Sequence, residues 1–179
     1  MTTPSIFKNI IFNQPVNVQE ILLRLDDLPH LIYLKNNQSP VIAFLPNQFE
    51  CVKNGICQTY QRKQIDQYEQ IESNLSFNQS EDIQVNSDGF QGGLMGFISY
   101  DFASAQHVNI HSRNQPSLWL GVFQTYLKFQ DDAWYFYSHE PEAEQLFEFI
   151  QNKLESTLSI PQLQLTQSCH ARWNKQQYQ

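Results

Sequence analysis

An antiparallel α+β domain is the fold class this chain predicts. Short β-prone runs are separated by turn signals, helical patterns sit between and beyond them, and the aromatic content is 13%, with Phe 13 and Tyr 8. The aromatic load argues for a packed core, because a disordered acidic chain is poor in such residues. At 179 residues the chain is one ordinary domain or a large piece of one. A chain of that size can bury roughly 70% of the surface it exposes when unfolded, so neither metal nor disulfide is needed to hold it.

Asn17 with Glu20 three residues later has capping-box spacing and precedes apolar Ile21, Leu22 and Leu25, predicting a short helix that ends near Pro29. Residues 30–34 and 41–45 read as the arms of a hairpin across the polar cluster between them. Residues 49–53 and 57–60 flank Asn54-Gly55, the dipeptide that supplies positive φ, which predicts a second hairpin. From Arg62 to Ile71 the spacing of Ile65, Tyr68 and Ile71 predicts one apolar helical face. Residues 73–89 are polar, turn-rich and without period, and read as a surface connection. Residues 118–129 read as one long strand, paired with 133–138 around Asp131-Asp132. Pro141, Glu142 and Glu144 suit a first helical turn, and Leu146, Ile150 and Leu154 continue it as an apolar stripe widened by Phe147 and Phe149. Leu163 and Leu165 suggest a further short strand, and residues 173–178 the opening of a helix.

Lys+Arg 11 against Asp+Glu 18 gives a formal charge of -7. The pI is near 5.1 and no basic block occurs, which argues against a nucleic-acid surface. The mean hydropathy of -0.48 reflects a scattered glutamine excess with no run, a bias of composition without functional content. No stretch approaches the roughly 18 apolar residues of a membrane span, and residues 1–12 lack the pattern of a secretion signal. Three cysteines, at 51, 57 and 169, are odd in number and suit reduced thiols, so the expected location is cytoplasmic.

Few residues invite a catalytic reading. His107 and His111 have helix-compatible spacing but no Cys or carboxylate at ligand distance beside them. Cys169 and His170 are adjacent, and adjacent side chains diverge in regular structure. There is no serine elbow, phosphate loop or zinc-helix motif. Gly92, Gly93 and Gly96 precede β-prone residues, which points to a bulge or a close backbone approach and away from a phosphate cradle. On the same physical grounds Tyr100 reads as a core aromatic with a polar tip, and Asp101 as an acceptor ending a strand.

The stretch Phe90, Gln91, Gly92, Gly93, Leu94, Met95, Gly96, Phe97, Ile98, Ser99, Tyr100, Asp101 resembles the F-x-G-G-x-x-G-x-x-x-Y-D signature of the chorismate-utilising family, in the N-terminal part of component I of anthranilate synthase and aminodeoxychorismate synthase. Neighbouring segments follow the family's order: Leu28 to Leu34, Ala43 to Pro46, Pro116 to Phe129, and Trp173 to Tyr178. The resemblance implies antiparallel β-sandwich-like sheets with flanking helices over residues 1–168, with 169–179 a linker into an absent chorismate-binding domain. It leans toward aminodeoxychorismate synthase, with anthranilate synthase as the alternative. A free-standing small-molecule-binding module is the reading from another class.

For the complete enzyme the resemblance implies amination of chorismate to 4-amino-4-deoxychorismate, on the route to p-aminobenzoate and folate. Mg2+ would be its cofactor and a glutamine amidotransferase subunit its ammonia source. It places no catalytic or metal-binding residue in this chain, which is expected to be inactive alone. Gly92, Gly93, Gly96, Tyr100 and Asp101 then carry a mainly structural signature. L-tryptophan is a ligand of some family members, and the matching positions here are Asn36, Ser39, Pro40 and Val41. Asn36 stands where the family has serine, the loop before Val41 is short, and residues 102–107 lack the family's arginines and glutamate.

Overall fold

The computed structural model describes residues 6–35, 39–72, 89–104 and 115–156. Their order is β1 (Phe7–Phe12), α1 (Val18–Arg24), β2 (Ile32–Leu34), β3 (Val41–Ala43), β4 (Gln48–Lys53), β5 (Ile56–Gln64), β6 (Gln67–Ile71), β7 (Gly93–Ile98), α2 (Tyr100–Ser104), β8 (Leu118–Phe123), β9 (Thr125–Gln130), β10 (Ala133–Ser138) and α3 (Ala143–Glu155). The strands form two five-stranded sheets, β1-β10-β9-β3-β2 and β6-β5-β4-β8-β7, and every pairing is antiparallel. The α+β class expected from the sequence is therefore what forms.

Two apolar clusters organise the layers. Ile42, Leu127, Trp134 and Phe136 pack with Ile21 and Leu25 of α1 and with Leu146, Ile150 and Leu154 of α3. Val41, Ala43 and Tyr126 pack instead with Phe49, Met95, Trp119 and Phe123 of the other sheet. Alternate residues of β3 and β9 thus enter different clusters, as the two-residue period of a strand requires. The first sheet is buried on both faces, under helices on one side and the second sheet on the other. The second sheet is buried on its inner face.

Local signals hold where expected. The Asn17 side chain accepts from the Gln19 amide at 3.0 Å and starts α1. Glu20, the other half of the capping box, instead pairs with Arg24 at 2.7 Å. Arg24 in turn donates to the carbonyls of Leu154, at 2.8 Å, and Ser156, tying the first helix to the carboxyl end of α3. Asn54 and Gly55 adopt φ of 54° and 76° at the β4–β5 turn. Both other hairpins, β2–β3 and β9–β10, pair in the expected sense.

Three expectations need correction. Residues 62–71 form no helix: Arg62 lies in β5, and β6 pairs back on it, with Arg62 opposite Tyr68. The three-residue spacing was a by-product of a strand, a turn and a second strand. The run 118–129 is two strands, because the chain leaves the second sheet after Phe123 and enters the first at Thr125. The signature stretch ends as strand at Ile98, and Tyr100 begins a short helix. Strand β1 carried no sequence expectation. Most of the 73–89 connection, and the elements proposed around Leu163 and after Trp173, lie outside the described residues.

The β7–β8 pairing explains one glycine quantitatively. A Cβ on Gly96 would lie 2.0 Å from the Trp119 carbonyl oxygen and 2.8 Å from the Leu120 Cα, both backbone atoms that cannot swing aside. At Gly55 a Cβ meets nothing within 4 Å, and only the φ of +76° opposes a side chain. Gly96→Ala should therefore cost about 3 kcal/mol or more, and Gly55→Ala about 1 kcal/mol. Urea midpoints at constant m-value will measure both, and equal losses would contradict the geometry.

Candidate functional site

The signature stretch runs along one edge of the second sheet. Gly92 and Gly93 adopt φ of 94° and 131°, values that side chains resist. A Cβ on Gly92 would sit 3.1 Å from the Phe123 carbonyl and 3.6 Å from His139 Cδ2. That crowding brings the Gln91 carbonyl within 3.0 Å of His139 Nε2, a bond that places the ring proton on Nε2. Phe90 meets Tyr126 edge-on at 5.1 Å, so the stretch is clipped to the first sheet at its start.

Tyr100 does not enter the core: it is 83% exposed at the start of α2. Ser99 serves the backbone at this strand end, with its hydroxyl accepting from the Phe102 amide at 3.3 Å and its carbonyl at 3.1 Å. Asp101 lies in α2, and its side chain is outside the described residues. Of the positions matched to a tryptophan pocket, Asn36 is likewise outside them. Ser39 donates to the Phe129 carbonyl at 2.9 Å, and the Pro40 carbonyl accepts from the Phe129 amide at 3.0 Å. Val41 is 2% exposed, opposite Lys128. These three residues are engaged in holding β3 to β9.

A polar centre that the sequence reading did not single out lies between the sheets and α3. Arg62 donates to Glu140 and, at 2.7 Å, to the Leu45 carbonyl. Thr125 donates to the other Glu140 oxygen at 2.6 Å and lies 2.9 Å from the Ser138 hydroxyl, which accepts from the Glu140 amide at 3.1 Å. Desolvation lowers the Arg62 pKa, and Tyr68 and Glu142 oppose that shift. Above the pair opens a cleft of about 460 Å³, bordered by Asn47, Lys63, Gln64, Glu142 and Gln145. Its two buried charges, Arg62 and Glu140, satisfy each other. Asn47 bonds Gln124 at 3.1 Å through its amide nitrogen, while its buried oxygen has no partner. A helix reading of residues 62–71 concealed Arg62, and the only local hint of Glu140 was an acid just before Pro141.

A second cluster surrounds His30, whose φ is 59°. Its ring stacks on Trp119 at 5.0 Å, lies 4.2 Å from Phe49 and meets Tyr68 edge-on at 5.3 Å. The buried Tyr68 hydroxyl has no hydrogen-bond partner, and burial pushes its pKa up. Burial raises the Cys51 thiol, with Lys53 opposing, while slight desolvation and the neighbouring Glu50 carboxylate raise that of the exposed Cys57. Among the described residues no group of three His, Cys, Asp or Glu could hold a metal ion. Among them, too, no helix is long and apolar enough to cross a membrane.

No protein-family model matches the chain, and no curated protein matches it. Among solved structures it is similar to the crystal structure of anthranilate synthase component I from Streptococcus pneumoniae TIGR4, with 18% identity and a TM-score of 0.42. The match covers 83% of this chain and 38% of that one, so the chain spans well under half of that protein's length.

Two measurements test this geometry. Glu140→Gln leaves a buried guanidinium without its counter-charge and should cost about 3–5 kcal/mol. Arg62→Met combined with Glu140→Gln should cost less than the sum of the single changes by at least about 1 kcal/mol, and additivity would mean the pair is not coupled. Burial holds His30 and His139 below the ordinary 6.5, with the Gln91 bond partly opposing the shift at His139. The unfolded chain binds these protons more readily, so stability is full above about pH 6.5 and falls as pH drops through that value toward the lowered ones. In urea titrations at pH 7.5 and 5.5, His30→Asn should lose less stability between the two than the parent. An equal loss would remove His30 from the account.

Proposed function

We propose that this chain is the non-catalytic N-terminal regulatory and scaffolding domain of a chorismate-utilising enzyme, of the aminodeoxychorismate synthase component I type. The complete enzyme would add glutamine-derived ammonia, supplied by an amidotransferase subunit, to chorismate and give 4-amino-4-deoxychorismate. The observation that carries the reading is the signature stretch itself. Its glycines occupy positions that demand glycine for separate reasons: positive φ at Gly92 and Gly93, and backbone contact at Gly96. Spacing set by such constraints is unlike a chance string of small residues.

The test has two arms. The purified chain given chorismate, ammonium and Mg2+ should show no turnover, and turnover would overturn the reading. Added to a separately expressed chorismate-binding half of an aminodeoxychorismate synthase component I, it should raise the yield of 4-amino-4-deoxychorismate at least severalfold. No increase there would reject the assignment, and an increase only with the corresponding half of anthranilate synthase would transfer it to that enzyme.

A further inference from the structure

The geometry that the β4–β5 turn requires also creates a chemical weakness. Lys53 and Ile56 form the last pair of the ladder, so Asn54 and Gly55 close the hairpin between them. Both have positive φ, 54° and 76°, as a two-residue turn matched to the right-handed twist of its strands demands. Glycine and asparagine are the residues that visit such a backbone at least cost. Their order matters, because it sets a side-chain amide beside the one backbone nitrogen whose residue has no Cβ. Of the chain's asparagines, Asn54 alone precedes a glycine.

We propose that Asn54 is a site of spontaneous covalent modification, losing its side-chain amide through a cyclic imide. The Gly55 backbone nitrogen attacks the Asn54 Cγ and forms a five-membered ring. The bond from Cγ to Nδ2 breaks, and the nitrogen leaves as ammonia with the proton given up by the Gly55 amide. Water then opens the ring at either carbonyl. Opening at Cγ gives aspartate, and opening at the main-chain carbonyl gives isoaspartate, whose main chain runs through Cβ. One water is consumed and one ammonia released, with no change of oxidation state and no partner required.

Three features of the turn favour this step. A Cβ on Gly55 would meet nothing within 4 Å, so the approach to the attacking nitrogen is uncrowded. The Gly55 amide lies inside the last ladder pair and takes no part in the ladder. Residues 53–57 are all exposed, with Ile56 at 64%, so the turn can flex toward the ring geometry without disturbing a packed side chain. Asn17 and Asn47 lack these features: one caps α1 and precedes Val18, and the other bonds Gln124 at 3.1 Å and precedes Gln48.

The two products differ in their effect on the hairpin. Aspartate keeps the backbone length and adds one negative charge. Isoaspartate adds a backbone atom to a turn of two residues, which the pairing of Lys53 with Ile56 does not accommodate.

The test is to hold the folded 179-residue chain near pH 8 and about 37 °C for several weeks, with tryptic mass spectrometry of samples taken through that time. Peptide 54–62 contains Asn54 as its sole asparagine, while peptides 9–24 and 36–53 carry Asn17 and Asn47 as internal references. Peptide 54–62 should gain about 1 Da at least about tenfold faster than either reference, with isoaspartate identified by electron-transfer fragmentation. Gly55→Ala should slow that gain at least about tenfold, because the new Cβ crowds the attacking nitrogen. Asn54→Asp should melt with the parent, whereas the isoaspartate form, separated from the aged chain by anion exchange, should melt several degrees lower. A gain no faster than in the reference peptides, a rate indifferent to Gly55→Ala, or an isoaspartate form that melts with the parent would each overturn the proposal.

Discussion

The relative placement of the two sheets and the last helix depends on the buried pair between Arg62 and Glu140. Arg62 belongs to β5 of the second sheet, while Glu140 lies between β10 of the first sheet and α3. The same guanidinium reaches the Leu45 carbonyl, where the chain leaves β3 with a φ of 54°. One side chain therefore joins both layers, a crossover and the approach to α3. Burying two ions costs several kcal/mol each, and their attraction at an effective dielectric near 20 returns only about 4 kcal/mol. The pair's value is positional. Apolar side chains such as Phe49 and Trp119 tolerate small slides, whereas any slide here strips a charge of its partner. The hydrogen bonds from Thr125 and from Ser138 to its neighbours complete a network in which each member fixes another.

Beside this pair the chain passes twice between sheets, at Asn47 and at Gln124. The Asn47 amide bonds the Val122 carbonyl at 2.8 Å, the Arg62 amide bonds the Asn47 carbonyl at 2.8 Å, and the His139 amide bonds the Gln124 carbonyl at 3.0 Å. The two passages are bonded to each other through their side-chain amides as well. Because they are adjacent, β4 and β8 become neighbours in one sheet while β3 and β9 become neighbours in the other. The polar network is thus a consequence of topology: crossing strands leave backbone groups that no sheet ladder satisfies, and buried groups of that kind must find partners.

What the sequence made legible is what depends on neighbours along the chain. The Asn17 cap, the Asn54-Gly55 turn and the Leu146, Ile150, Leu154 stripe are local devices, and each appears where its residues place it. The split at Gln124 is not local. Val122 and Phe123 before it and Tyr126 and Leu127 after it are equally apolar, and only the layers they enter differ. Strand β1 was hidden because Lys8 and Asn9 make it look polar, although it is an edge strand whose Lys8 ammonium lies over the Tyr135 ring at 4.3 Å. Arg62 was hidden by a chance spacing of apolar residues. At the candidate site, the glycine positions were readable as backbone requirements, whereas the exposure of Tyr100 and the partners of Arg62 depend on segments distant in sequence.

The glycine-rich stretch is shaped by backbone constraints at each of its three glycine positions. Gly92 and Gly93 set the entry of β7, and Gly96 lets its backbone lie against Trp119 more closely than any side chain permits. That close approach positions Met95 against the inter-sheet cluster and leaves Leu94 and Ile98 outward. Each of these positions opposes a side chain on backbone grounds alone. Tyr100 is different, since nothing in the described core needs an aromatic residue there and its ring faces solvent.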